Sequence, residues 1–129
     1  MKLKFEKTEV RTIMEFGYQM IVLNRTVVWA AKYNLLHTIV ESIKDNDYEM
    51  PQLTTEEIKR VAKSMSAEKK RFLASLLKEI MAFSRGDIIY EEPEFLFYCR
   101  EVIGLPDVDY EEAKALLEEY IGHIELPRL

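Results

Sequence analysis

The stretch SAEKKRFLASLLKEIMAFSRG, residues 66–86, decides the fold class of this chain. Its apolar residues recur at intervals of three and four positions, which is the spacing of one face of an α-helix. Ser66 is a suitable N-cap before the first helical turn, and Gly86 is a suitable stop after the last. We therefore expect a long helix with one face in a core. The apolar positions of that face are Phe72, Leu73, Leu76, Leu77, Ile80, Met81 and Phe83.

Two further helices are expected on the N-terminal side of this stretch. Thr8 can cap the first, and a second apolar stripe runs from Val28 to Ile43 before the turn-forming residues 44–47. Within residues 1–7, the run 2–5 alternates charged and apolar side chains, which favours a short extended arm there. The apolar residues of the two stripes are Ile13, Phe16, Met20, Leu23, Val28, Ala31, Leu35, Leu36, Ile39, Val40 and Ile43.

Capping signals define the remaining helices. Thr54 and Glu57 have the spacing of a capping box, which predicts a helix over residues 55–64. Pro93 suits the first position of a helix that extends to about residue 102, because the missing N–H of proline is no loss there. Asp109 with Glu112 forms a second capping box before a last apolar stripe. The sequence predicts an all-α fold, a single-domain bundle of five to six helices over residues 1–129.

Bulk composition agrees with a globular helical protein. The chain has 129 residues, of which 48% are hydrophobic and 32% are charged, with four glycines and four prolines. Its lone cysteine, Cys99, excludes an internal disulfide, and the longest apolar runs are too short to span a bilayer. No signal-like start precedes the first helix. We therefore expect a cytoplasmic protein with no transmembrane segment.

The charges are unevenly distributed along the chain. Residues 87–119 hold eleven acidic residues and two basic ones, whereas residues 59–85 hold eight basic residues and two acidic ones. These counts predict an electrically polar molecule with an acidic C-terminal third, and solvated helix faces are the simplest explanation. The basic run at residues 69–71 opens a helix on what should be its solvent face. With a net charge of −5, nucleic acid is not an expected partner.

The acidic turn at residues 87–94 is the candidate binding site. Four carboxylates fall within its eight residues, and Asp87, Glu91 and Glu94 could converge on a hard cation such as calcium or magnesium. The alternative is that these glutamates complement the positive end of the helix that starts at Pro93. Both readings remain open from the residues alone.

This region resembles the tellurite-resistance TerB-like family. The resemblance is carried by residues 76–94, LLKEIMAFSRGDIIYEEPE, and by the Ile-Gly-Leu element at 103–105, within a match over roughly residues 73–120. Asp87, Glu91 and Glu94 fall on the acidic positions of the family motif, although Gly86 precedes the aspartate here, whereas the family places glycine after it. The resemblance implies an all-helical fold, divalent-cation binding at these carboxylates, and a role in stress response or membrane-associated assembly.

No catalytic signature accompanies this site. His37 and His123 lack metal-ligand spacing, and Cys99 lies on an apolar helix, where a buried inert thiol is favoured over a nucleophile. Aromatic residues 90–98 occupy more than one helix side, which fits either a central helix or a partner surface. We expect a non-enzymatic TerB-like module that binds a divalent cation and a protein partner, with homo-oligomerisation open. The alternatives are a metal-free interaction adaptor and, third, a metal-dependent hydrolase.

Overall fold

The chain is helical wherever regular secondary structure is described. A computed structural model describes residues 3–23, 29–44, 47–82 and 93–121, and within these ranges it contains no β-strand. A π-helical segment, Tyr98–Ile103, continues directly from the fifth α-helix. The all-α prediction is confirmed. The α-helices are α1 (Lys7–Leu23), α2 (Trp29–Ile43), α3 (Thr55–Ser64), α4 (Ala67–Ala82), α5 (Pro93–Phe97) and α6 (Tyr110–Ile121).

The predicted capping residues begin three of these helices. The Thr54 hydroxyl accepts from the Glu57 N–H at 3.2 Å, and the Glu57 carboxylate accepts from the Thr54 N–H at 3.1 Å. The Ser66 hydroxyl accepts from the Lys69 N–H at 3.3 Å, and Asp109 accepts from the backbone N–H three residues later at 2.7 Å. Each contact satisfies a donor that the first helical turn leaves without an intrahelical partner.

The predicted cap of α1 is wrong. Thr8 lies inside the first turn, because the helix already begins at Lys7. The Glu9 carboxylate accepts from the Glu6 N–H at 2.9 Å and also binds the Lys69 ammonium at 2.7 Å. A contact with α4, sixty residues away in sequence, therefore helps to set where this helix starts.

The core is built around α4, which packs against α1, α2 and α6. Leu73, Leu76 and Ile80 are completely buried, as the helical periodicity predicts. On α2, every predicted apolar position from Leu35 to Ile43 is buried. At the end of α1 the prediction fails, since Leu23 is 44% exposed.

Helices α1 and α2 are in close contact at Gly17. A Cβ atom placed on this glycine would lie 2.5 Å from Leu36 Cδ1, which is well inside van der Waals contact. One residue further along α1, the Tyr18 ring lies 5.6 Å from that of Tyr33. The missing side chain of Gly17 is what allows the two helices to pack at this distance.

Residues 3–6, the described part of the N-terminal arm, precede α1 without regular secondary structure. Leu3 and Phe5 are buried, and Lys4 between them is exposed. The Phe5 ring lies 5.2 Å from the Phe72 ring of α4, and the Lys69 ammonium lies 5.5 Å from its centroid. This arm is therefore packed against α4.

The helix that starts at Pro93 changes type along its length. Five α-helical residues are followed by the π-helical segment, whereas the sequence predicts a regular helix to about residue 102. Both Gly104 and Leu105 donate their N–H groups to the carbonyl oxygen of Cys99. Gly104 has φ of 80°, a left-handed conformation that glycine adopts without steric cost. The chain reverses here and leads into α6.

Candidate functional site

The predicted cation site lies mostly outside the described residues. Asp87 and Glu91 belong to the stretch 83–92, which the structure does not describe, and Glu94 is exposed in the first turn of α5. Within the described ranges, no group of three or more histidine, cysteine, aspartate or glutamate side chains is placed to hold a metal ion. Binding of calcium or magnesium at Asp87, Glu91 and Glu94 stays a prediction.

A groove lies beside α4, and we call it the α4 groove. Its walls are α4, the α5–π segment, the loop of residues 104–109 and the start of α6, and its volume is about 520 Å³. That volume falls within the range of ligand-binding clefts in proteins. The apolar residues that form its floor are Met20, Ala74, Leu77, Met81, Leu96, Cys99, Leu105 and Val108.

Local structure explains how these residues meet. On α4, Ala74, Leu77 and Met81 follow one another at spacings of three and four, so they share one face. The turn at Gly104 then brings residues 105–109 back to the groove, where they form its remaining wall. In a π-helical segment the backbone hydrogen bonds join residues five apart, and such segments are frequent at functional sites.

Charged residues surround this apolar floor. Arg100 lies 3.7 Å from Asp107, and the Lys78 ammonium lies 5.3 Å from the centroid of the Tyr110 ring. Glu112 forms an ion pair with Arg71 of α4. Both rim cations are therefore engaged by neighbouring side chains of the same chain.

The part of the chain around the groove is strongly acidic. Residues 93–121 hold eight acidic residues and two basic ones, Arg100 and Lys114. Asp107 is an exposed member of this set at the groove, with a side chain that is 78% accessible even though it contacts Arg100. An exposed ion pair of this kind contributes little to stability, so its carboxylate remains open to other cations.

Cys99 lies in the floor of the groove, where burial disfavours its thiolate form. Its side chain is 4% exposed, and burial raises the pKa of its thiol to about 12, with the nearby Arg100 opposing the shift. At neutral pH the thiol is therefore almost entirely protonated, and the thiolate is the reactive form. The sequence prediction of a buried cysteine is confirmed.

The aromatic residues near α5 have different surroundings. Phe95 is buried and packs its ring 6.2 Å from that of Phe16, and the half-buried Tyr98 lies over the same ring at 6.4 Å. Phe97, between them, is 59% exposed. This segment therefore supplies core residues and an exposed aromatic side chain, and the interpretation of a partner surface stays a prediction.

The basic run at residues 69–71 is not a free solvent face. Lys69 binds Glu9, and Arg71 pairs with Glu112 of α6, so two of its three cations connect α4 to other helices. His37 is exposed and lies 3.2 Å from the Tyr18 hydroxyl, which fits the prediction of a surface histidine. His123 lies outside the described residues.

Lys32, a residue that the sequence predictions do not include, is completely buried on α2. Its position, three and four residues before Leu35 and Leu36, places it on the apolar face of that helix. A buried ammonium group persists only where neighbouring groups compensate its charge. The signal that could have revealed it is a charged residue at a core position of an otherwise apolar stripe.

Comparison of the chain with protein families, with curated proteins and with solved structures finds no match. The resemblance to the TerB-like family therefore stays a prediction. In the described parts of the chain, none of the helices combines the length and the apolar character that crossing a membrane requires.

Proposed function

We propose that this chain is a non-enzymatic helical binding module, and that its α4 groove receives a helical segment of a partner protein. The observation that carries the proposal is the groove itself, an apolar floor enclosed by helices and bordered by charged residues. Apolar anchors at spacings of three, four and seven residues on a partner helix would fill such a groove. This function corresponds to the metal-free interaction adaptor, one of the alternatives that the sequence leaves open.

The floor of the groove suits a partner helix because its side chains are adaptable. Met20 and Met81 both line it, and methionine fills irregular gaps because its side chain is unbranched and polarizable. Leu96 is only half-buried in the absence of a partner. Covering the accessible part of Leu96 would remove apolar surface from water, which is the main driving force of association.

A peptide-display selection tests this proposal. A library of helical peptides with apolar anchors and randomised flanking residues is selected on the full chain, and the binders are measured by fluorescence anisotropy. Leu96→Glu places a charge in the groove and should abolish binding. Val22→Glu, at a position of α1 that is already 61% exposed, is the control and should leave binding unchanged.

Phe97→Glu separates the groove from the exposed aromatic surface. Phe97 follows Leu96 directly but does not line the groove. If Phe97→Glu abolishes binding and Leu96→Glu does not, the partner docks on the aromatic face of α5. If the library yields no binder, the proposed function is wrong.

The second candidate function is divalent-cation binding by Asp87, Glu91 and Glu94. It is favoured by the four carboxylates within residues 87–94 and by the exposure of Glu94 in the first turn of α5. A cation that binds only the folded form raises the melting temperature as its concentration increases. Calcium or magnesium should therefore act at concentrations at which a monovalent salt does not.

Calorimetry and thermal unfolding at millimolar calcium and magnesium test the cation site. Asp87→Asn combined with Glu94→Gln should remove the response, whereas Glu118→Gln on α6 is a control that retains it. An absence of both binding heat and melting shift in the unmodified chain rejects the site. The TerB-like assignment, with its role in stress response or membrane-associated assembly, depends on this result.

The remaining parts of the proposal concern location and assembly. We propose a cytoplasmic protein, on the basis of its lone cysteine, which burial keeps protonated. Self-association is the competing use of the groove, since a second copy could cover it. Light scattering across a concentration series measures this directly, and Leu96→Glu should dissociate any dimer formed through the groove.

A further inference from the structure

A second cavity lies where the start of α4 meets the turn at Gly104, and we call it the Lys70 cavity. Its volume is about 700 Å³, which falls within the range of ligand-binding clefts. Among the described residues it shares only Pro106 with the α4 groove, so the proposed function does not use it. Its lining includes Glu68, Lys70 and Arg71 of α4, Gly104 and Pro106 of the turn, and Tyr120 of α6.

Lys70 brings a cation to this cavity that is not paired with another side chain. The residues on either side of it are both engaged, because Lys69 binds Glu9 and Arg71 pairs with Glu112. Within the described ranges, the Lys70 side chain forms neither an ion pair nor a hydrogen bond. It is half-buried, and its Nζ lies 3.4 Å from the position of the Cβ atom that Gly104 lacks. The ammonium group is therefore held against the turn rather than extended into solvent.

Arg71 adds hydrogen-bond donors next to this ammonium group. It donates to the Glu112 carboxylate through Nη2, whereas a guanidinium group carries five N–H donors in all. The Arg71 side chain is 46% accessible, so part of it still faces solvent at the cavity. Because Glu112 already offsets its charge, Arg71 contributes donors, and the uncompensated positive charge is that of Lys70.

Glu68 is the opposing charge in the lining. It is exposed, and residues two apart on a helix do not face each other, so it does not neutralise Lys70 by a direct contact. Its negative charge repels a dianion more strongly than a monoanion. The exposed residues Ala67 and Pro106 supply apolar surface at the same cavity. These features together favour a ligand with one negative charge and a compact apolar part.

We propose that the Lys70 cavity binds a small organic monocarboxylate. The ligand carboxylate accepts hydrogen bonds from Lys70 Nζ and from the free donors of Arg71, and its apolar part lies against Ala67 and Pro106. Hydrogen bonds between a cationic donor and a carboxylate are roughly twice as strong as those between neutral groups. The carboxylate thus supplies the counter-charge that this chain does not provide for Lys70.

NMR titration of the full chain with four phenyl compounds tests the ligand class. Benzoate should bind with millimolar affinity and shift the backbone amide resonance of Gly104, which lies beside the ammonium group. Benzamide has nearly the same shape without the charge, and benzylamine carries the opposite charge, so both should bind more weakly. Phenyl phosphate, as a dianion, should also bind more weakly than benzoate because Glu68 repels it more strongly.

Three variants test the assignment of the residues. Lys70→Gln should weaken benzoate binding by about three- to tenfold, because a charge-assisted hydrogen bond is lost at a partly solvated site. Glu68→Gln should strengthen it by about two- to threefold, because a like charge is removed. Lys63→Gln, the matched control, removes the same charge from an exposed position of α3 outside the cavity and should leave binding unchanged.

Several results would overturn the proposal while leaving the function of the α4 groove untouched. Equal affinities for benzoate and benzamide would mean that the phenyl ring alone binds. Tighter binding of benzylamine or of phenyl phosphate would mean that the ligand class is wrong. Equal losses in Lys70→Gln and Lys63→Gln would mean that net charge, not the cavity, attracts the carboxylate, and an absence of benzoate binding would reject the site. Circular dichroism and melting curves establish that each variant is folded.

Discussion

The contact between α1 and α2 at Gly17 leads to a prediction whose sign depends on the tertiary structure. Gly17→Ala adds one methyl group in the interior of α1. In an unobstructed helix this change is stabilising by about 0.5–1 kcal/mol, because glycine loses more backbone freedom on folding than alanine does. The structure predicts the opposite sign here.

The magnitude follows from the position of Leu36. The added Cβ would lie 2.5 Å from Leu36 Cδ1, 2.8 Å from Cδ2 and 3.2 Å from Cγ. Rotation of the terminal methyl groups alone cannot relieve three close contacts, and Leu36 is completely buried. Overpacking of this kind costs about 1–3 kcal/mol. After the gain in helix propensity is subtracted, we expect Gly17→Ala to destabilise the fold by about 1–2 kcal/mol.

Urea unfolding of four proteins measures the effect as a double-mutant cycle: the unmodified chain, Gly17→Ala, Leu36→Ala and the double variant. Leu36→Ala should itself cost about 2–5 kcal/mol, because it leaves a cavity. In that background the methyl group at position 17 has space, so Gly17→Ala should become stabilising by about 0.5–1 kcal/mol. The change of sign between the two backgrounds is the diagnostic result.

Two results would refute this reasoning. If Gly17→Ala stabilises the unmodified chain, α1 and α2 are not in close contact at this residue. If Gly17→Ala is equally destabilising in both backgrounds, Leu36 is not the obstructing side chain. The slope of the urea transition should remain constant through the series, because the surface exposed on unfolding hardly changes.

Four further predictions concern other parts of the fold. Leu77→Ala should cost about 2–5 kcal/mol in urea unfolding, and a loss below about 1 kcal/mol would contradict the central position of α4. Thr54→Ala should cost about 1 kcal/mol by thermal unfolding, because α3 loses its capping box. Gly104→Ala should cost about 1 kcal/mol in the same assay, because alanine is strained at positive φ. The pKa of Cys99 is raised from 9.0 to about 12, so the unfolded chain loses the thiol proton first as pH rises. Stability should therefore fall by about 1 kcal/mol between pH 9 and pH 10, a loss that Cys99→Ala removes, and an unchanged pH profile in this variant would refute the assignment.

Much of the helical architecture is available from the sequence because its signals are local. The capping box at Thr54 and the hydroxyl of Ser66 each act within one helical turn, and Pro93 begins α5 where its ring conformation predicts. Amphipathic periodicity likewise identifies the buried face of α4. Local signals do not predict the start of α1, because the Glu9 carboxylate binds the Lys69 ammonium of α4, a helix distant in sequence.

Of the two candidate sites, the sequence indicates the acidic turn, and only the structure shows the α4 groove. The sequence indicates Asp87, Glu91 and Glu94 by the density of their charge, which is a property of a short segment. It gives no indication of the α4 groove, because Met20, Leu77 and Leu96 come from three separate helices. Apolar periodicity shows that such residues face inward, but it does not show which of them line the same groove.

The sequence by itself determines the all-α class and most helix boundaries, since hydrogen bonds within a helix join residues four apart and capping contacts join residues three apart. Only the tertiary structure decides that the Leu36 side chain packs against Gly17, that Lys32 is buried, and that Arg71 pairs with Glu112. These contacts depend on the relative positions of helices far apart in the chain. The physical reason is that side-chain packing selects one arrangement among the several that the same amphipathic helices could adopt.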